Sequence, residues 1–454
     1  MNHKAISPLD GRYARKLPLH GEYFSEFALM YNRCKLELRY ALALDKLGIF
    51  PALSAEERQR LEALIEHFSE EDYQAIKAIE QKTMHDVKAC EIFLREKTQI
   101  SQDQLFHFAL TSEDANNMAY NYMLKGYLEE VQLPQIEQLL QKLMQLAEDW
   151  KSIPFPTKTH GQKASPSTVG KELAVYINRI ARVYEKLKNH RFYAKLSGAV
   201  GNYSAMLAAF PEVNWLDFAQ NFLAQEGFEL NLATTQIEDH DSWAEYFDLS
   251  RRLNNIVMDL DVDCWLYISY ELFYERSKAG EVGSSTMPHK VNPINFENSE
   301  GNMMLSNGLL TVLSDKLCRS RMQRDLSDST VERNMGVALA HAYMAISETL
   351  RGLNKLAVNE AQCAAVLDQS PELLAEPIQT ILKIAGVEDP YNLLKAASRG
   401  KKPTLDSLFA LVDGLDISEE IKNRCKALRP DTYVGDAIRI CELVLEQTQA
   451  LLKQ

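Results

Sequence analysis

Little in this chain of 454 residues provides covalent bracing or a membrane anchor. Its seven cysteines, Cys34, Cys90, Cys264, Cys318, Cys363, Cys425 and Cys441, are scattered, odd in number and never spaced Cys-X-X-Cys. That excludes a disulfide framework or cysteine-rich zinc site and predicts buried thiols in a reducing compartment. No run of eighteen apolar residues occurs and the N-terminus has no apolar signal core, so membrane partners are excluded and a cytoplasmic location is expected. Positive charge is also short: 50 basic against 63 acidic residues leave a net charge of −13. An acidic chain is a poor partner for nucleic acid or an anionic membrane, so an anionic ligand would need a local basic island. Only 19 glycines punctuate the chain, and sustained period-two alternation is absent, which argues against a β-rich fold.

Helical periodicity fills the space left by these absences. Leu253, Ile256, Val257, Leu260, Cys264, Tyr267, Ile268 and Leu272 recur at three- and four-residue steps. Ile136, Leu139, Leu140, Leu143, Leu146, Ala147 and Trp150 do the same, with Pro134 placed for a helix start. Leu339, Tyr343, Ile346, Leu350 and Leu353 make a third stripe. The chain reads as all-α, with divisions near 111 and 365: an N-terminal domain (1–111), a long-helix bundle (112–365) and a C-terminal domain (366–454). Stretches 197–215 and 230–242 read as loops, and Ser165-Pro166-Ser167 as a helix cap.

One stretch carries unusual chemistry: Gly280-Glu281-Val282-Gly283-Ser284-Ser285-Thr286-Met287-Pro288-His289-Lys290-Val291-Asn292-Pro293. Its glycines can turn successive N–H groups toward an anion, while Lys290 and Asn292 add a charge and a neutral donor. Ser284 and Ser285 put hydroxyls in the same electropositive loop, an arrangement suited to proton abstraction beside a carboxylate. Thr157-Lys158-Thr159-His160-Gly161-Gln162 offers a loop histidine able to protonate a departing nitrogen, or simply a solvated one. His85 and Asp86 are adjacent before a helical run, too close in sequence to face each other as a dyad; Asp86 can cap the helix. Leu110-Thr111-Ser112-Glu113-Asp114 reads as a helix N-terminus, with Thr111 or Ser112 as cap and the same geometry suited to an anion. In 316–333, Lys316, Arg319, Arg321, Arg324 and Arg333 alternate with acids. That is the pattern of a solvated helix, or of a phosphate site completed by Ser327, Ser329 and Thr330.

Taken together and in order, these segments resemble one family. Ser7-Pro8-Leu9-Asp10-Gly11-Arg12-Tyr13, the His85-Asp86 segment, Thr111-Ser112-Glu113-Asp114, Thr159-His160-Gly161-Gln162, Thr235-Gln236-Ile237-Glu238, the 283–293 loop and Gln323–Thr330 resemble the adenylosuccinate lyases. These form a branch of the fumarase/aspartase lyase superfamily. The resemblance implies an all-α, three-domain lyase whose long central bundle forms the core of a homotetramer with sites shared between subunits. It implies β-elimination of fumarate from purine nucleotide substrates, without cofactor or metal. In that scheme Ser284 is the base, His160 the acid, and Ser285 a substrate contact. Lys290, Asn292, Thr111 and Ser112 attend the carboxylate. Arg324, Ser329 and Arg333, with Arg12 and Tyr13, take the phosphate side; His85, Asp86, Gln236 and Asn298 complete the contacts. Two positions depart from the branch: Met84 stands where Asn is frequent, and Lys163 where Pro is common.

Overall fold

The computed structural model describes residues 4–276, 291–397 and 403–453. The architecture is helical, and the eight strands among the described residues are only two or three residues long. No helix there is long and apolar enough to cross a membrane. The chain divides into two compact units: Met1–Gln135, Val183–Asn255 and Gly301–Ile346 form the first, and Ile136–Arg182, Ile256–Glu300 and Ser347–Gln454 the second.

In the first unit, helix Glu26–Leu47 starts where the Ser25 hydroxyl accepts the Ala28 N–H at 3.1 Å and ends at Gly48, whose φ is 77°. Its buried stripe, Leu29, Arg33, Leu36, Tyr40 and Leu44, follows helical spacing and packs toward helices Asp86–Thr98 and Ser112–Tyr127. Arg33 is the exception, a charge at a core position that needs a buried partner. Pro134 is the second residue of helix Leu133–Asp149, near its start as expected. A π turn at Leu128–Gln132 joins Ser112–Tyr127 to this helix, just ahead of the position where proline offers no N–H. Parallel strands Tyr193–Ala194 and Glu229–Leu230 then hold the 195–203 and 231–240 segments side by side. The first of these segments leads into helix Ser204–Ala209, which the loop reading of 197–215 had not anticipated.

The charged stretch 316–333 is mostly not helical: helix Ile294–Leu317 stops, and only Ser327–Glu332 resumes. Asp325 organises the turn between them, accepting the N–H groups of Arg321 at 3.0 Å and Ser327 at 2.8 Å. Bonds from the Ser327 hydroxyl and N–H hold its pKa down at about 2.

In the second unit, strand Pro154–Phe155 pairs antiparallel with Ser167–Thr168. The cap of helix Val169–Lys188 falls at Thr168, whose hydroxyl accepts the Lys171 N–H at 3.3 Å, one residue beyond the expected Ser165-Pro166-Ser167. Leu374, Ile378, Leu382, Leu394, Leu408, Val412 and Cys425 form the core of the C-terminal helices. All seven cysteines are free, and Cys318 alone among them is exposed.

Candidate active site

Helix Asp86–Thr98 is capped by His85, not by Asp86: the His85 Nδ1 accepts the Lys88 N–H at 3.2 Å. Asp86 is thereby free to meet the buried Arg33 at 2.9 Å. Burial opposes the charge on Asp86, but Arg33 and the Val87 N–H outweigh it and lower the carboxyl's pKa. Met84, which ends the preceding helix, has a left-handed φ of 54°. Asn tolerates that conformation better than Met, so backbone geometry gives a reason for Asn at this position apart from any side-chain contact.

Helix Ser112–Tyr127 begins beside this segment. The Asp114 carboxylate accepts the Thr111 N–H at 2.8 Å, the Ser197 N–H at 3.0 Å and the Gly198 N–H at 3.2 Å. It also meets the fully buried Lys195 ammonium at 2.6 Å. Asp114 therefore pins the Thr111-Ser112 turn to the 195–198 segment. From there the Ala199 carbonyl accepts from the Gln236 amide at 3.1 Å.

Arg324 joins these pieces. Its guanidinium lies 2.7 Å from Glu113 and donates to the Gln236 amide oxygen at 3.4 Å. Burial, then the neighbouring Glu332, raises the pKa of Glu113. Four residues beyond Ser329, Arg333 donates to the Ser329 carbonyl at 2.7 Å and lies 3.9 Å from Asp86. A cavity of about 240 Å³ opens among Arg33, His85, Asp86, Ser112, Asn116, Tyr120, Arg324, Ser329, Glu332 and Arg333. A smaller one of about 170 Å³ shares Tyr120, Glu332 and Arg333 with it. His85, Asp86, Ser112, Arg324, Ser329 and Arg333 are thus brought into one lining from three separated stretches of sequence.

Other expected residues are placed differently. Thr111 and Gln236 stand one residue from that lining, through Ser112 and through the Arg324 contact. Arg12 is exposed on the N-terminal segment, and Tyr13 packs with Leu9, Leu17, Ala340 and Met344; neither lines the cavity. His160 belongs to the second unit, at the exposed tip of the hairpin formed by Lys158–Thr159 and Gln162–Lys163. The two-residue turn needs positive φ at both positions; His160 has 53° and Gly161 has 72°. Lys163 is not idle, since its ammonium lies 2.6 Å from the Ser370 hydroxyl and 3.8 Å from Glu372. Asn292 precedes helix Ile294–Leu317, and Asn298 lies in its first turns, both in the second unit. Ser284, Ser285 and Lys290 lie outside the described residues.

Sequence reasoning did not single out Arg33, Asn116, Tyr120 and Glu332. Arg33 had one available signal, a charge interrupting an apolar stripe. The others sit on helix faces where nothing local separates a site residue from a core one.

A predominantly helical chain with a cavity that gathers arginines, serines, a histidine and two acids is what the fold and site define, and solved lyases share that fold. The chain is similar to a fumarate lyase from Mesorhizobium sp. BNC1 (TM-score 0.78, 18% identity, covering 94% of this chain and 97% of that one). It is also similar to the 3-carboxy-cis,cis-muconate lactonizing enzyme of Pseudomonas putida (TM-score 0.76, 21% identity, covering 96% and 98%). At such identities the likeness concerns the fold. The lyase family model matches residues 19–307, and the adenylosuccinate lyase C-terminal model matches 320–434. Adenylosuccinate lyases of Haemophilus influenzae and Escherichia coli are 45% and 46% identical to it, each over 96% of this chain and 98% of their own. The chain belongs to the adenylosuccinate lyase family.

Proposed function

We propose that this lyase cleaves adenylosuccinate to AMP and fumarate by β-elimination, and likewise the succinylaminoimidazole carboxamide ribotide to its carboxamide and fumarate. The observation that carries the reading is the cavity in which Arg324, Arg333 and Ser329 meet His85 and Ser112. Paired guanidinium groups beside hydroxyls suit a phosphate, which a lyase acting on non-nucleotide succinates has no need to bind.

In this scheme the Ser284 alkoxide removes a proton from the carbon beside a substrate carboxylate. The released electron pair becomes the fumarate double bond, the carbon–nitrogen bond breaks, and its pair goes to the purine nitrogen, which His160 protonates. Ser284 needs a stabilised anion to act as base, a task for the N–H groups of its glycine-rich loop and for Lys290. Because the intermediate places a second negative charge on the carboxylate, donors aimed there favour the transition state over the ground state; Lys290, Asn292, Thr111 and Ser112 take that role. Ser285, Gln236 and Asn298 contact substrate, and Arg12 and Tyr13 extend the phosphate side.

A homotetramer with shared sites fits two features. His160 is held at an exposed hairpin tip by a strained turn, which suits a residue presented outward. Ile294, Met304, Leu305 and Val312 expose apolar side chains along one long helix, a surface that a second copy would cover. Reduced thiols and the lack of a membrane-spanning helix among the described residues support a cytoplasmic home. The test is direct. Purified protein supplied with adenylosuccinate should release AMP and fumarate in equal amounts by NMR, with argininosuccinate and carboxymuconate run in parallel. Turnover of either of those with adenylosuccinate untouched would overturn the assignment.

A further inference from the structure

Behind the cavity wall lies a charged group that the elimination chemistry does not use. His240 is fully buried at the start of helix Asp241–Ser269, with a left-handed φ of 61° that a histidine adopts only when its surroundings hold it there. Its ring stacks on Trp243 with centroids 4.0 Å apart and planes 5° from parallel, and the Trp243 indole N–H is itself fixed by Asn121 at 2.6 Å. Both ring nitrogens face carboxylates: Nδ1 lies 3.3 Å from Glu238, and Nε2 lies 3.5 Å from Glu332. A neutral imidazole has one N–H and would turn a lone pair toward one of those anions, whereas the doubly protonated ring turns an N–H toward each. Burial alone would lower the His240 pKa, but hydrogen bonding and charge from Glu238 and Glu332 push it up to about 10.

Glu332 is the link to the site, because it lines the cavity with His85, Ser329 and Arg333. Glu113 and Asp328 lie within the same field: burial and Glu332 raise their pKa values, while Arg324 and His240 oppose the rise. The formal balance is close. Arg33, Arg324, Arg333 and His240 oppose Asp86, Glu113, Glu238, Asp328 and Glu332, a sum of −1 that becomes −2 without the imidazolium.

We infer that His240 is a positioning residue: its buried imidazolium neutralises and fixes the acidic back wall of the cavity, so that Arg324 and Arg333 remain available to the phosphate of a nucleoside monophosphate. It touches no substrate atom, and it acts through Glu332. This rests on the reading of the cavity as a phosphate site.

The test compares AMP affinity, by calorimetry on the purified oligomer, in the wild type, His240→Phe, Glu332→Gln and the double variant. Phenylalanine keeps the aromatic stack on Trp243 and removes the charge. His240→Phe should weaken AMP binding about tenfold, as expected for an uncompensated charge in a low-dielectric wall. Glu332→Gln alone should tighten it about threefold, and the double variant should return to within about threefold of the wild type. A merely structural histidine would give no such rescue, because a second change in the same packing would deepen the loss. Equal losses in His240→Phe and the double variant overturn the inference. So does a Glu332→Gln protein that binds AMP no more tightly than wild type, an arm that stands even where His240→Phe folds poorly. A wild type that does not bind AMP removes the phosphate reading and this inference with it; a wild type that binds while the variants break the pattern removes only the inference.

Discussion

Arg324→Ala should injure the protein twice, and a single further substitution separates the two injuries. Arg324 pairs with Glu113 at 2.7 Å, and the Glu113 side chain is only 3% exposed. Breaking a buried pair by deleting one partner costs about 3–5 kcal/mol, because an uncompensated charge stays behind. Glu113 has two escapes: the Asn116 amide still donates to it at 2.6 Å, and its raised pKa lets it take a proton. The expected loss of stability is therefore about 2–3 kcal/mol. Removing the proposed charge-assisted contact to the phosphate should separately cost about 2–4 kcal/mol of transition-state binding, or roughly 30- to 1,000-fold in kcat/KM. Glu113→Gln added to Arg324→Ala removes the stranded charge. Urea unfolding at one fixed protein concentration should find the double variant within about 1 kcal/mol of the wild type, while kcat/KM for adenylosuccinate stays as low as in Arg324→Ala. Recovery of kcat/KM together with stability would show that Arg324 only braces the fold, and refute its role at the phosphate.

Three further expectations can be checked, the first from the proposed mechanism and the other two from the geometry. Ser284→Ala and His160→Ala should each abolish most turnover, yet a 1:1 mixture after confirmed subunit exchange should recover about a quarter of its sites if the residues come from different subunits; a mixture that stays dead would refute shared sites. Gly201 has φ 81°, and a Cβ there would lie 2.2 Å from the Thr234 carbonyl oxygen; Gly201→Ala should cost about 2–3 kcal/mol by urea unfolding, and unchanged stability would mean the 195–203 and 231–240 segments are not packed as described. His20 lies 3.2 Å from the Tyr127 hydroxyl, and burial lowers its pKa to about 4. The unfolded chain then binds the extra proton first, so stability should fall as pH drops from about 6.5 toward 4, by up to about 3 kcal/mol. His20→Phe should flatten that slope relative to the wild type, and parallel slopes would count against a buried neutral imidazole.

The sequence alone determined whatever depends on local spacing. Apolar steps of three and four along 251–275 and 339–353 can only be satisfied by helices, which the chain forms at Asp241–Ser269 and Met335–Lys355. The ordered motifs also sufficed to identify the family and to propose most of the site, because substrate contacts tolerate few residue types. Tertiary structure decided what depends on encounters between distant segments. His85 rather than Asp86 caps its helix because Arg33, 53 positions earlier, claims the carboxylate. The arginine-rich stretch is a turn and not a solvated helix because Asp325 collects its N–H groups and Glu113 anchors Arg324. His240 looked like an ordinary loop residue, since its two carboxylate partners come from opposite directions, one two residues back and the other 92 residues on. Local pattern fixes which backbone hydrogen bonds are made, whereas the charge state of a buried group depends on which neighbours the fold delivers to it.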